Sequence, residues 1–157
     1  MDAHRLTYRA DGLISFNPVM SRKDWMLKTG DVLFMARGAR NFSVLLQEIP
    51  DSVLAAACFF IVRVSSDGVL PGYLCWYLNQ SPTQHYLSRH SGRGVHMPVV
   101  RRSVLEHIDV PIPTLDIQKR IADLNALMRD EQELLKKLAE KRKDLIMGAC
   151  LKAVREN

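Results

Sequence analysis

The sequence is poor in the patterns that mark secreted, membrane-spanning and metal-binding proteins. Its three cysteines are far apart and each lies among apolar residues, which is typical of buried thiols in a reducing compartment and not of a disulfide framework or a zinc site. No apolar run approaches the roughly 20 residues that span a bilayer, and no apolar segment follows the N-terminus as in a secretory signal. We therefore expect a cytoplasmic protein with no cofactor and no metal of its own.

Motifs of familiar catalytic sites are missing as well. Gly92-Arg93-Gly94 lacks the third glycine and the strand–helix context of a dinucleotide-binding loop. The stretch 17–20 (Asn-Pro-Val-Met) does not replace the Asn/Asp-Pro-Pro-Tyr/Phe box of amino-methyltransferases. No His-Glu-x-x-His segment and no Cys/His pair with zinc spacing occur. We expect a protein that does not catalyse a reaction itself.

Acidic residues are absent from a long central stretch of the chain. The formal net charge is only +5, but residues 68–105 contain no Asp or Glu, and all of their fixed charge is carried by arginine. Guanidinium groups suit bidentate contacts with phosphate and with guanine. A loop at a predicted hairpin tip adds two arginines and an asparagine, a residue that can read adenine. The candidate nucleic-acid contacts are therefore Arg37, Arg40, Asn41, Arg89, Arg93, His96, Arg101 and Arg102.

Each of these residues also has a plainer interpretation. Exposed arginines are common on any surface, and one of Arg101 and Arg102 could pair with Glu106. The hairpin-tip residues could form an ordinary polar turn, and His96 could be structural. The aromatic residues of 73–86 have helical spacing and are expected in the core instead of on a base-stacking platform.

The pattern of apolar residues predicts an α+β domain with a small mixed sheet. Strands are expected at 31–36 and 42–47, forming a hairpin, and at 54–64, an apolar run typical of a central strand buried on both faces. A short fourth strand is expected at 110–113, held extended by two prolines that also remove backbone donors.

Short helices are expected between the strands. One should follow Pro71. A second should begin with Ser81 as its N-cap and Pro82 in its first position, and a third with the capping box Ser103-x-x-Glu106.

A long helix is expected from Thr114 to the C-terminus. Thr114 can cap it, and Asp116 lies in its first turn, where the helix dipole favours an anion. Apolar residues then follow a 4-3 spacing with breaks at Glu131, Arg142 and Lys152, which indicates a coiled-coil type of interface. We expect a domain at 1–113 and a helical arm at 114–157 for dimerisation or partner docking, with the interface residues Ile121, Leu124, Met128, Leu135, Leu138 and Leu145.

Four stretches carry motifs that occur in this order in one known family: residues 27–33, 71–78, 94–108 and 112–121. They resemble the specificity (S) subunits of type I restriction-modification systems. Residues 112–121 (I-P-x-L-x-x-Q-x-x-I) resemble the P-L-x-x-Q-x-x-I signature that closes a target recognition domain of that family. Residues 27–33 (L-x-x-G-D-V-L) resemble its L-x-x-G-D-[IV]-L strand, and residues 71–78 resemble its P-x-[YF]-L-x-x-x-L helix. Gly94, the Arg101-Arg102 pair and residues 105–108 fit the stretch before the closing strand.

The resemblance implies a non-catalytic, sequence-specific DNA-binding module. With one recognition domain and one helix, the chain resembles a half-subunit or a truncated form. Its expected partners are double-stranded DNA, methyltransferase (modification) subunits and a second copy of the chain, paired through the helix as a homodimer. S-adenosylmethionine and ATP would then belong to the partner subunits.

Two other classes of function remain open. The chain could be a coiled-coil dimerising scaffold whose recognition domain has decayed and no longer binds DNA. It could also be a small nuclease or modification enzyme with an unrecognised site. Salt-sensitive DNA binding by the isolated chain would distinguish the DNA-recognition module from the scaffold. Turnover that depends on a metal or cofactor would indicate the enzyme.

Overall fold

The computed structural model describes residues 25–91 and 99–156. Three strands and four helices follow one another along these residues. In chain order they are β1 (Val32–Met35), β2 (Ser43–Leu45), β3 (Phe59–Val62), α1 (Pro71–Leu78), α2 (Ser81–His90), α3 (Arg102–Glu106) and α4 (Leu115–Arg155). The chain divides into two compact units, Met1–Ala122 and Asp123–Asn157. The expected division between residues 113 and 114 lies before α4, whereas the first unit includes the first turns of that helix.

The three strands form one antiparallel sheet in the order β2-β1-β3. Val32 of β1 lies opposite Leu45 on one side and Val62 on the other. The hairpin of β1 and β2 was expected, and the α+β class is confirmed. The expectation of a mixed sheet is wrong for the described strands, because both pairings are antiparallel.

The predicted central strand at 54–64 is wrong in length and in position. β3 covers only Phe59–Val62 and lies at an edge of the sheet, where all four of its residues are half-buried. Leu54 forms an isolated bridge with Met26 instead. The alanines at 55–57 provide little of the β-branched or aromatic surface that strands pack, and a turn with Phe59 N bonded to Ala56 O precedes the strand.

Both predicted serine caps are also wrong. α2 has Gln80 as its N-cap and α3 has Arg101, and neither helix receives a side-chain cap hydrogen bond. Ser81 and Ser103 therefore lie inside their helices. Pro82 still fits, because its fixed φ and missing N–H are tolerated throughout the first helical turn.

Two clusters of buried residues lie on the face of the sheet that carries Val32 and Phe34 of β1 and the following Ala36. Phe34 and Ala36 pack with Leu87 of α2 and with Val100, and we call these four residues the Phe34 cluster. A second cluster joins Val32 to two residues of α1, Cys75 and Leu78. Apolar residues two apart along a strand share one face, so both clusters form on the same side of the sheet.

The second unit contains a single element, the continuation of α4. The whole helix has 41 residues and is roughly 60 Å long at about 1.5 Å per residue. Every residue from 134 to 156 is exposed. No helix in the described part of the chain is long and apolar enough to cross a membrane.

Candidate nucleic-acid interface

The side chain of Gln118, in the first turn of α4, is fully buried. Its Oε1 accepts a hydrogen bond from the Leu70 N–H at 2.8 Å, and its Nε2 donates to the carbonyl oxygens of Gly68 and Pro113, each at 2.8 Å. One amide thus joins the first turn of α4 to the segment before α1 and to residues 110–113, which we call the proline connector. Gln118 is therefore a structural residue that fixes where α4 begins.

The proline connector is held by α1 as well. The Tyr73 hydroxyl donates to the Pro111 carbonyl oxygen at 2.6 Å, and Gly72 lies where a Cβ would come within 3.2 Å of Ala122. Burial raises the pKa of Tyr73 above its usual value of about 10, and the neighbouring Tyr77 raises it further. The segment 110–113 was expected to be a strand, but it pairs with none, because its prolines have no N–H to donate.

The Gly-Asp step before β1 forms a second structural centre. Asp31 is buried, and its carboxylate accepts hydrogen bonds from Nε and Nη2 of Arg63, each at 2.7 Å. It also accepts one from the Lys28 N–H at 2.7 Å. Gly30, with φ of 90°, allows the turn that presents these groups. Arg63 was not singled out in the sequence, and its only signal was a charge inside the apolar run 54–64.

A further side chain that the sequence did not indicate protects an edge of the sheet. Asn79, just after α1, accepts from the Ser43 N–H at 2.8 Å and donates to the Ser43 carbonyl oxygen at 2.9 Å. These bonds pair backbone groups of the edge strand β2 that would otherwise be open to another strand.

Two of the predicted DNA contacts, Arg37 and Arg101, lie on neighbouring backbone segments. Arg37 forms an antiparallel bridge with Val99, and the Val100 N–H donates to the Ala36 carbonyl oxygen at 2.9 Å. Ala36 and Val100 are buried, whereas Arg37, Val99 and Arg101 are exposed. Because side chains alternate along extended segments, both arginines lie on the outer face of this pairing.

Arg89 lies close in sequence to the Phe34 cluster. It lies in the last turn of α2, two residues after Leu87 of the Phe34 cluster, and it is exposed. Arg37, Arg89 and Arg101 thus each lie one or two residues from a member of that cluster. We call these three the basic triad. None of them takes part in an ion pair among the residues that the structure describes.

The remaining predicted contacts differ in their surroundings. Arg102 is paired with Glu106 at 2.7 Å, although its side chain is 81% exposed. Asn41 donates from Nδ2 to the Met35 carbonyl oxygen at 2.8 Å, which closes the hairpin loop, and Arg40 is exposed in that loop. Arg93 and His96 lie outside the described residues.

The predicted interface residues on α4 are exposed, except for Ile121, which is half-buried. Sequence spacing alone did not indicate that several neighbouring apolar residues would be equally exposed. These additional residues are Leu127, Leu134, Ile146, Met147, Leu151 and Val154. Such a surface is typical of a helix that associates with another element.

No protein-family model matches this chain, and no curated protein matches it significantly. Among residues 25–91 and 99–156, no group of three or more His, Cys, Asp or Glu side chains could hold a metal ion.

Proposed function

We propose that this protein is the DNA-recognition module of a type I restriction-modification system, a half-subunit or truncated form of a specificity subunit. In this account the first unit binds double-stranded DNA and the long helix associates with other subunits. The protein catalyses no reaction and directs methyltransferase and restriction subunits to a DNA target.

The observation that carries the proposal is the basic triad. Three exposed arginines lie within two residues of members of one core cluster, and two of them, Arg89 and Arg101, belong to the stretch 68–105 that carries no acidic side chain. Exposed arginines can contact phosphates, and phosphate contacts supply a large share of the affinity of DNA-binding proteins. Residues in the adjoining loops, among them Arg40, would then be available for base edges.

The motif residues support the proposal in a different way. Gln118, Asp31 and Tyr73 are engaged with protein groups, so they preserve the fold instead of contacting DNA. The residues that contact DNA would then lie outside these motifs, in loops and on exposed positions.

The proposal is tested by removing the basic triad. We expect Arg37→Ala/Arg89→Ala/Arg101→Ala to weaken binding to random-sequence duplex DNA by about tenfold or more at low salt. The matched control is Lys136→Ala/Lys143→Ala/Arg155→Ala, which removes the same charge from exposed positions of α4. Equal loss in both variants would contradict a localised interface, and no DNA binding by the wild type would favour the scaffold.

A further inference from the structure

An exposed apolar side chain lies between two arginines of the basic triad. Val99 forms the antiparallel bridge with Arg37, and its side chain is 39% exposed. Residues directly opposite each other in an antiparallel pair lie on the same face. Arg101 has extended backbone and follows Val99 by two residues, so it shares that face about 7 Å further along. The face therefore presents a valine between two guanidinium groups.

The geometry of the bridge brings Arg37 and Val99 close together. The Val100 N–H donates to the Ala36 carbonyl oxygen beside the bridge, so Arg37 and Val99 form the pair that is not hydrogen-bonded itself. Opposite Cβ atoms in such a pair approach to about 5 Å. Ala36 and Val100 belong to the Phe34 cluster, and Val99 lies on the opposite side of its segment from that cluster.

We propose that Val99 is a specificity-determining residue that contacts the 5-methyl group of a thymine in the major groove of the DNA target. This inference rests on the proposed function and names a base contact of the same surface. Thymine is the only base of unmodified DNA that presents a methyl group in the major groove, where apolar side chains contact it. Arg37 and Arg101 would hold this face against the DNA through phosphates or guanine edges.

A valine between arginines supplies a selectivity that phosphate contacts lack. Phosphate contacts are the same for every sequence, whereas the removal of apolar surface from water requires a methyl group on the base. Burial of one group of this size is worth about a fourfold change in affinity. Residues 68–105, which include Val99 and Arg101, contain no carboxylate that would repel the DNA backbone from this contact.

Replacement of thymine by deoxyuridine removes the 5-methyl group and tests the contact. The full wild-type chain first enriches bound duplexes from a random-sequence pool, and the enriched duplex is then synthesised with thymine or with deoxyuridine throughout its site. We expect the wild type to bind the thymine duplex about fourfold more tightly. Val99→Ala should bind the two duplexes within about 1.5-fold of each other, because the methyl groups that pack on thymine are missing.

Two further variants serve as controls. Val99→Thr retains the branched shape and one methyl group, so it should keep a preference for thymine of at least about twofold even if Val99→Ala perturbs the fold. Val154→Ala, which shortens an exposed valine of α4, should keep the full preference. Circular dichroism of each variant compares its secondary structure with that of the wild type.

Three results would overturn the proposed contact: equal binding of the two duplexes by the wild type, an unchanged preference in Val99→Ala, or an enriched site without A·T pairs. Each of them would leave the proposed function in place, since the chain would still select a DNA sequence. Failure of the wild type to enrich any sequence would instead contradict the proposed function, and the thymine contact with it.

Discussion

The side-chain oxygen of Gln118 accepts a hydrogen bond from the backbone N–H of Leu70, 48 residues earlier in the chain. The first turn of α4 and the N-terminal end of α1 are thus joined by a buried amide. Both residues belong to, or directly precede, the stretches that carry the family resemblance. Gln118 lies in the first turn of α4, from which its side chain reaches the segment before α1.

Replacing Gln118 should destabilise the first unit. Gln118→Ala leaves the Leu70 N–H and two carbonyl oxygens without their partner in a buried site, and we expect a loss of about 2–4 kcal/mol in the free energy of unfolding. Urea denaturation followed by circular dichroism measures it. Gln132→Ala, an exposed glutamine on the same helix, should change stability by less than about 0.5 kcal/mol. Equal effects of the two substitutions would contradict the structural role.

Asp31→Asn tests the ion pair with Arg63. The amide cannot accept both guanidinium hydrogen bonds, and Arg63 would lose its counter-charge. Because the Arg63 side chain is 38% exposed, solvent screens part of this loss, and we expect about 1–2 kcal/mol of destabilisation. Asp123→Asn is the matched exposed control. Thermal unfolding measures the loss of stability. A loss as small as that of the control would mean that the ion pair does not stabilise the folded protein.

The raised pKa of Tyr73 predicts a pH dependence of stability. Above pH 10 the unfolded chain loses the phenolic proton while the folded chain keeps it, so stability falls as pH rises from about 10 through the higher folded pKa. Tyr73→Phe should be less stable than the wild type at neutral pH, and the difference between them should shrink above pH 10. A difference that is constant from pH 8 to pH 11 would contradict the shift.

Glu106→Gln should strengthen DNA binding if Arg102 contacts DNA together with the basic triad. The substitution removes a negative charge and releases Arg102 from its partner at 2.7 Å. We expect a gain in affinity of about two- to fivefold at low salt that disappears at high salt, because the effect is electrostatic. Fluorescence anisotropy measures it, with Glu140→Gln on α4 as the control. A gain of the same size in the control would indicate net charge alone.

The sequence predicted the elements that depend on local signals and missed those that depend on distant partners. The prolines and the apolar spacing placed α1, β1 and the long helix correctly. The strand at 54–64 was overestimated, because the length of β3 is set by pairing with the four residues of β1. The predictions of Ser81 and Ser103 as N-caps were wrong, because α2 begins one residue and α3 two residues earlier than the capping patterns indicate.

The candidate site was likewise predicted only where local sequence signals indicate it. The acid-free stretch indicated the arginines, but nothing local indicated that Arg37 and Arg101 would lie on paired segments. That relationship depends on the hydrogen bond between Val100 N and Ala36 O, which joins residues far apart in the chain. Likewise, Arg63 and Asn79 acquire their roles only through Asp31 and Ser43 in the folded protein.

DNA affinity measured across a salt series tests the central claim most directly. If the basic triad neutralises phosphates, a plot of log affinity against log salt concentration should be linear with a negative slope of several units, about 0.9 for each phosphate contacted. The triad variant should have a slope smaller in magnitude by about three. A flat response of the wild type, or a slope that the triad variant leaves unchanged, would contradict DNA recognition by this surface.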